Sequence, residues 1–415
     1  MSHVTVIGAG IVGSCCARFL QAAGHEVVLV DRIEPGMGCS FGNAGIISNV
    51  LSATQPPGPR LLKNLPKMLF SPDAGVVIRW RYLLAFAPWL AAMLKGCGSA
   101  DQERTAQAMA ALLTGTNEAY DTIVRGTAAD GYIRRNGTIG VYNSEASFAA
   151  DAWRRDMNAA LGAQFVELAS EEIRQMEPSL SSRIARATYC PSTYSTTDPA
   201  RLTRAIADES VARGARFVLA EVSGIRLAAG RPEALLTDRG EMPLDKLVVA
   251  AGAFSHRLAK MMGIKVLLDT ERGYHLEMPE VKTSLSRAVL HYDDSFAMNQ
   301  MNDGLRFAGT VEFAGVDAPQ NDARAHTIWR KGRAALRETE GLENLKMSLW
   351  MGRRPTMPDF RPVIGAAPGV ADCWLAFGHQ HLGLTFGART GQIVAELVAG
   401  RDPGLDLKPF RADRF

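Results

Sequence analysis

The sequence has no Cys-x-x-Cys pair, no dense run of like charge, no internal repeat, and no uninterrupted apolar stretch of membrane-spanning length. Each absence removes a class. The six cysteines (Cys15, Cys16, Cys39, Cys97, Cys190 and Cys373) follow no metal-ligand spacing, so reduced thiols in a reducing compartment and no bound metal are expected. Lys and Arg number 46 against 43 Asp and Glu, a net charge of +3, and they are scattered. No nucleic-acid partner is expected from that distribution, while an anionic small molecule or a weak attraction to an anionic membrane stays compatible with it. The nearest approach to a membrane span, residues 76–94, is interrupted by Arg79, Arg81 and Pro88. Its aromatics Trp80, Tyr82, Phe86 and Trp89 suit a helix lying on a membrane surface, or, as the preferred reading, a helix pair packed on the protein's own core. The N-terminus lacks the basic segment of a secretory leader and reads as mature structure. A cytoplasmic location is expected, with peripheral contact at the inner membrane and oligomerisation left open.

What is present is 415 residues, 47% apolar and 21% charged, which is a globular composition too long for one ordinary core. Residues 4–7 read as a short buried strand, 8–13 as a glycine turn, 14–23 as a helix stopped by Gly24, and 27–30 as a second strand ending in Asp31. All-apolar strands of this kind belong to a parallel sheet covered on both faces. Residues 51–100 turn Pro-rich and then helical. One long amphipathic helix is expected over 102–124, another over 146–161, and one over 199–213 with Asp198 as its N-cap. Strands are expected at 137–142, 217–219, 222–227 and 247–251. Beyond Lys265 short strands with turn residues alternate, at 273–277 and 305–310, indicating a separate antiparallel sheet. A charged helix is expected over 322–339, a strand over 373–377, and a glycine turn entering a helix over 383–400.

Gly8-Ala9-Gly10-Ile11-Val12-Gly13 fits G-x-G-x-x-G, and its context gives it weight. Gly8 permits a tight turn, Gly10 lets a pyrophosphate approach the backbone, and Gly13 lets helix pack closely on strand. The diphosphate then meets free N–H groups at the helix N-terminus, from Ile11 and Val12 onward. Asp31, followed by Arg32, stands where a carboxylate binds ribose hydroxyls. That arrangement suits FAD and NAD equally. Two further segments matter: an apolar strand ending in Ala250-Ala251-Gly252-Ala253, and the turn Gly378-His379-Gln380-His381-Leu382-Gly383-Leu384-Thr385 near the C-terminus.

Together these segments resemble the D-amino-acid oxidase superfamily of flavoproteins, most closely its D-amino acid dehydrogenase branch. Ser40-Phe41-Gly42-Asn43-Ala44-Gly45 matches the family's Ser followed by Asn-Ala-Gly. Residues 248–255 match its VVAAGAWS strand, with Phe254 in place of Trp. Gly352-Arg353-Arg354-Pro355-Thr356-Met357-Pro358-Asp359, then Pro362, Ile364 and Gly365, match its G-x-RP-x-x-PD-x-x-P-x-IG segment. Residues 378–385 match its closing GHG-x-LG-x-T. The resemblance covers the whole chain. Glu271-Arg272-Gly273-Tyr274-His275 and the 378–382 turn are similar to dehydrogenases of D-hydroxyproline-like imino acids.

The resemblance implies an α/β Rossmann-type FAD domain (1–50, 196–265, 350–415) interleaved with an antiparallel-sheet substrate domain (51–195, 266–349), α+β overall. It implies non-covalent FAD, since no Cys or His stands where sarcosine-oxidase relatives attach the flavin. Asn43, Ala44 and Gly45 are expected beside the flavin ring, Ser40 at the cofactor, and Val222 beside adenine. Ala251 and Gly252 are expected at the cofactor, and Gly383, Leu384 and Thr385 at the flavin N1–C2=O edge, with His379 and His381 as helpers or structural histidines. Arg354 is expected to clamp the substrate carboxylate through its planar fork. Tyr274 and His275 are expected to line the substrate pocket, or to be packing residues. The implied reaction is oxidative deamination of a D-amino or imino acid by hydride transfer from Cα to flavin N5. Electrons then pass to a quinone or other carrier. No protein base is identified. An oxygen-using glycine, sarcosine or D-amino acid oxidase, or a flavin-binding subunit of a larger complex, are the alternatives.

Overall fold

The computed structural model describes residues 2–50, 66–71, 73–279, 281–337 and 342–415. Residues 51–65 of the Pro-rich stretch, and 338–339 at the end of the expected charged helix, lie outside the described residues.

Two large sheets organise the chain. The six-stranded sheet runs Arg216–Leu219, Glu26–Asp31, His3–Ile7, Lys246–Val249, Cys373–Phe377, Val363–Ala366. The first five strands are parallel and the sixth is antiparallel. Successive side chains of a strand face opposite sides, and both sides here are buried. Val4, Val6, Val27, Leu29 and Val248 pack under the helices Ile11–Ala22 and Gly383–Val398. Ile7, Val28, Val30, Leu247 and Val249 pack on the other side against Ile225, Leu235 and Leu258. Burial on both faces is why these strands carry apolar residues at nearly every position.

The second sheet has nine strands. Its main path is Ser348–Thr356, Asp269–Pro279, Gly304–Phe313, Phe296–Gln300, Ala288–His291, Thr138–Tyr142, Arg186–Cys190, Val166–Ala169, with Val76–Ile78 beside Gly304–Phe313. It is mixed rather than purely antiparallel, because Ala288–His291 pairs parallel with Thr138–Tyr142 and Val76–Ile78 pairs parallel with Gly304–Phe313.

Four other expectations are corrected. The helix expected over 102–124 is two, Ser99–Leu113 and Thr116–Val124, broken at Gly115, whose φ of +80° leaves the helical region. The helix over 146–161 is likewise two, Glu145–Ala150 and Ala152–Ala160, meeting at Asp151. That carboxylate accepts a hydrogen bond from the Tyr142 hydroxyl at 2.8 Å and pairs with Arg154. Helices 99–124, expected in the substrate region, pack instead on the helices that cover the six-stranded sheet: Met109 and Leu112 cluster with Phe386 and Ile393, and Tyr120 and Ile123 with Ile11 and Leu384. Conversely, Ser348–Thr356 pairs along its whole length with Asp269–Pro279, so residues 350–356 are part of the nine-stranded sheet.

The helix Leu83–Lys95 buries one face only. Phe86, Trp89 and Met93 pack on Phe313 and Phe360, with the Phe86 and Phe313 ring centroids 4.4 Å apart. Burying each such side chain contributes about 1.5–3 kcal/mol. Leu84 on this helix is 90% exposed, and Trp80 in the turn that precedes it is 68% exposed.

Candidate active site

The glycine turn is built by exclusion. Gly8 has φ +107°, and a Cβ there would lie 2.4 Å from the Ala250 carbonyl oxygen. A Cβ on Gly13 would lie 1.8 Å from the Gly8 carbonyl oxygen, so only glycine lets this helix approach its strand. The helix Ile11–Ala22 has no side-chain cap, and the Ile11 N–H donates to Ser40 Oγ at 3.0 Å. Asp31 accepts from the Ala9 N–H at 2.7 Å and the Ile33 N–H at 3.3 Å. Burial holds its carboxyl above the ordinary carboxylate range, and these hydrogen bonds oppose the rise.

Around this turn lies a cavity of about 520 Å³. Gly8, Gly10, Ile11 and Val12 line it from the turn, and Asp31 and Arg32 from the second strand. Ser40, Asn43, Val222, Ala251, Gly252, Gly383 and Leu384 complete the expected set that faces it. Arg32 pairs with Glu221 at 3.3 Å and lies 4.2 Å over the Phe254 ring. Four expected cofactor residues do not line this cavity. Gly13 packs behind the turn, Gly45 (φ +81°) packs on the Thr196 carbonyl, and Ala44 and Thr385 face a second cavity. The Thr385 hydroxyl accepts from the Ser48 N–H at 3.1 Å, which places it in the framework.

The loop 40–45 is held from outside. Arg306 donates to the carbonyls of Phe41 and Asn43, both at 2.9 Å, and Asn299 donates to the Ala44 carbonyl at 3.1 Å. Asn43 Oδ1 accepts from the Gly45 N–H at 2.8 Å, closing the turn on itself. Arg306 and Asn299 come from the nine-stranded sheet, which thereby fixes a loop of the dinucleotide side.

The second cavity, about 1170 Å³, adjoins the first, and Cys39, Asn43, Trp350, Gly352 and Gln380 line both. Arg354 stands in the wall of the second. Its guanidinium donates to the Thr310 carbonyl at 3.0 Å and the Gly309 carbonyl at 3.4 Å, using two of its five N–H groups. It lies over Gly273, where a Cβ would come within 2.1 Å of Arg354 Cζ. Burial lowers the guanidinium's proton affinity, and Glu271, its register partner on the neighbouring strand, works against that. Arg353 alternates to the first cavity and donates to the Val316 carbonyl at 2.6 Å.

Tyr274 lines the second cavity, but its hydroxyl turns away to donate to Glu312 at 2.5 Å, inside an ion cluster with Arg79 and Arg272. His275 lines neither cavity. It faces the opposite side of its strand, stacked on Trp350 with Nδ1 3.2 Å from the Gly42 carbonyl, and burial pushes it down to about 3, so it is neutral. His379 lines the first cavity with Nε2 3.0 Å from the Thr390 hydroxyl, likewise held neutral by burial at about 3. His381 faces the second cavity.

Sequence reasoning missed three residues. Glu271 is buried beneath Arg354 and pushed up to about 7 by that burial. Thr310 (φ +52°) and Gln380 (φ +52°) are non-glycine residues in the left-handed region whose buried side-chain polar atoms find no partner among the described residues. Both line the second cavity. A β-branched residue with positive φ is a backbone outlier, and such strain concentrates at functional sites. A signal was available at Gln380, the one departure within residues 378–385 from the GHG-x-LG-x-T pattern, which has glycine at that place.

Comparison with known proteins places this geometry. The family described as FAD dependent oxidoreductase matches residues 3–397. A D-amino-acid oxidase of Bradyrhizobium diazoefficiens is 36% identical over 419 residues, covering 100% of this chain and 99% of that one. A D-amino acid dehydrogenase of Paramagnetospirillum magneticum is 32% identical over 431 residues, covering 99% and 98%. Among solved structures, an iminodiacetate oxidase from Chelativorans sp. BNC1 superposes with TM-score 0.71 at 22% identity, covering 99% of this chain and 98% of that one. A glycine oxidase from Geobacillus kaustophilus superposes with TM-score 0.71 at 20% identity over 99% and 98%.

Proposed function

This chain belongs to the FAD-dependent oxidoreductase family that includes the D-amino-acid oxidases, and from that premise we propose that it oxidises the Cα–N bond of D-amino or imino acids, passing the electrons to a quinone or similar carrier. The residues present fit FAD. Two helices without side-chain caps, Ile11–Ala22 and Gly383–Val398, begin at the first cavity, and the glycine turn and Asp31 face it. A dinucleotide carrying negative charge is favoured at such N-termini. Cys39, beside both cavities, has its thiol pushed up to about 11 by burial, which disfavours the thiolate and supports non-covalent attachment.

The observation that carries the substrate reading is Arg354, a fork-shaped cation in the wall of the cavity adjoining the dinucleotide cavity. Its remaining N–H groups suit a carboxylate. Leu290, Phe296 and Trp350 give the surrounding wall an apolar character that favours a neutral amine. Bound FAD supplies the two-electron acceptor for the α-hydrogen at N5. Arg354 fixes the carboxylate, which restricts the orientation in which Cα is presented to the first cavity. Anaerobic mixing with D- and L-amino acids, glycine, sarcosine and cis-4-hydroxy-D-proline tests the reading through loss of the flavin band. Bleaching by D-substrates with slow recovery in air is expected. Fast recovery in air favours an oxidase, the name carried by the Bradyrhizobium relative. No bleaching by any of them overturns the reading.

The exposed apolar side chains Trp80 and Leu84, with Arg81 over the Trp80 ring, support the carrier half of the reading. No single helix among the described residues is long and apolar enough to cross a membrane. We place the protein in the cytoplasm, with these side chains at the inner membrane surface. Co-sedimentation with anionic vesicles that is lost in W80E/L84E supports that placement, and unchanged binding in the double variant refutes it.

A further inference from the structure

Gln380 is the one residue of the turn 379–385 that lines both cavities. His379, Gly383 and Leu384 face only the first, and His381, Leu382 and Thr385 only the second. It is 4% exposed, and neither Nε2 nor Oε1 has a hydrogen-bond partner among the described residues. Its backbone φ is +52°. Both features are unfavourable. A buried polar group left unpaired loses its hydration without a replacement hydrogen bond, and a non-glycine side chain in the left-handed region strains the backbone. Glycine would remove both costs. A carboxamide kept at such a position, between the two cavities, is explained by partners that arrive from each side.

We propose that the Gln380 carboxamide is a catalytic group that bridges substrate and cofactor, accepting from the substrate N–H through Oε1 and donating to a ring carbonyl of FAD through Nε2. The inference rests on the amine-oxidation reading above. In that reaction the Cα–H bond breaks with its electron pair going to FAD, the oxidant, and the nitrogen lone pair closes the C=N bond. Positive charge therefore develops on the substrate nitrogen and negative charge on the ring. A fixed amide dipole, oxygen toward the first and N–H toward the second, stabilises both changes without carrying net charge. Its stabilisation grows as the transfer proceeds, so it accelerates the step rather than only tightening binding. The burial of Gln380 strengthens the effect, since water does not screen the dipole there.

The test compares wild type with Q380G, Q380M and Q380E, all as FAD-loaded protein. Three quantities are measured: melting temperature, flavin midpoint potential in the absence of substrate, and the limiting rate of anaerobic flavin reduction. Q380G removes the carboxamide and suits the positive φ, so it should retain FAD and melt no lower than wild type. Its reduction rate should fall at least tenfold and its potential should become more negative. Q380M keeps the bulk and should match Q380G in rate and potential. Q380E puts a negative charge beside the ring and should have the lowest potential of the four. Wild-type rate and potential in Q380G, or in Q380M if Q380G does not hold FAD, overturn the proposal. A change in melting temperature alone also overturns it, because that is what a purely structural glutamine would give. If no amine bleaches the wild type, the underlying reading has failed, and the potentials still decide whether Gln380 contacts the ring.

Discussion

The two sheets build their halves of the site in different ways. In the six-stranded sheet, the cofactor turn is local: Gly8, Gly10, Gly13 and Asp31 lie within one strand–turn–helix–strand unit. At Gly8 and Gly13 the contacts are with backbone, so the space for a single methyl group is missing. In the nine-stranded sheet the site is assembled by register. Arg354 is opposite Glu271, two positions from Gly352, which is opposite Gly273, and its carbonyl partners come from a third strand. The lesson is about tolerance. A site made of backbone fails all at once, whereas one made of side chains on adjoining strands can be displaced by degrees.

Three substitutions would break or sharpen that contrast. The largest effect is expected from Gly13→Val, whose side chain would meet the Gly8 carbonyl oxygen. The variant should fail to retain FAD, or fail to fold, as read by absorbance of the purified protein and by circular dichroism. Flavin-loaded G13V would mean the two regions do not differ as argued. Next comes Arg354→Leu, which should bind FAD normally while kcat/KM falls about 10²–10³-fold, in keeping with loss of about 3–4 kcal/mol from a bidentate charged contact. Gly273→Ala belongs beside it as the milder test. Its added Cβ collides with the flexible end of Arg354 rather than with backbone. The protein should fold, hold FAD and show a roughly tenfold higher KM for carboxylate substrates, since the guanidinium moves rather than disappears. An unchanged KM in G273A would show that Arg354 does not hold the substrate.

The smallest effect is a pH dependence. Burial raises the Glu271 carboxyl from its ordinary 4.5 to about 7, with the charge of Asp269 adding to the rise and Arg354 and Thr356 opposing it. Between those two values the folded protein keeps a proton that the unfolded chain has released. Stability contributed by this group therefore falls as pH rises from about 4.5 to about 7, and is level above and below. Glu271→Gln should melt like wild type near pH 4.5 and several degrees higher at pH 8. Equal melting temperatures across the range would show that Glu271 is not held protonated.

Much of the cofactor side was legible in the sequence. Of the seventeen residues expected at the cofactor from the glycine spacing, the acid at the end of the second strand and the matched family segments, thirteen face the first cavity. The substrate side was less so. Tyr274 and His275 were expected together, yet alternation along the strand sends them to opposite faces, and only Tyr274 reaches the cavity, with its hydroxyl committed to Glu312. Glu271 gave no local signal, because its consequence depends on which residue the neighbouring strand sets opposite it.

By itself the sequence determined the parts of this protein whose chemistry is local. A turn that excludes every side chain needs glycines at fixed spacing, and a strand buried on both faces needs unbroken apolar residues. Only the tertiary structure decided what depends on distant segments meeting. It carried residues 350–356 into the substrate-side sheet, set helices 99–124 against the cofactor side, and placed the Gln380 carboxamide, which has no partner among the described residues, between two cavities. The physical reason is that register and packing join residues far apart in the chain, and no periodicity within a single segment records which partner it will meet.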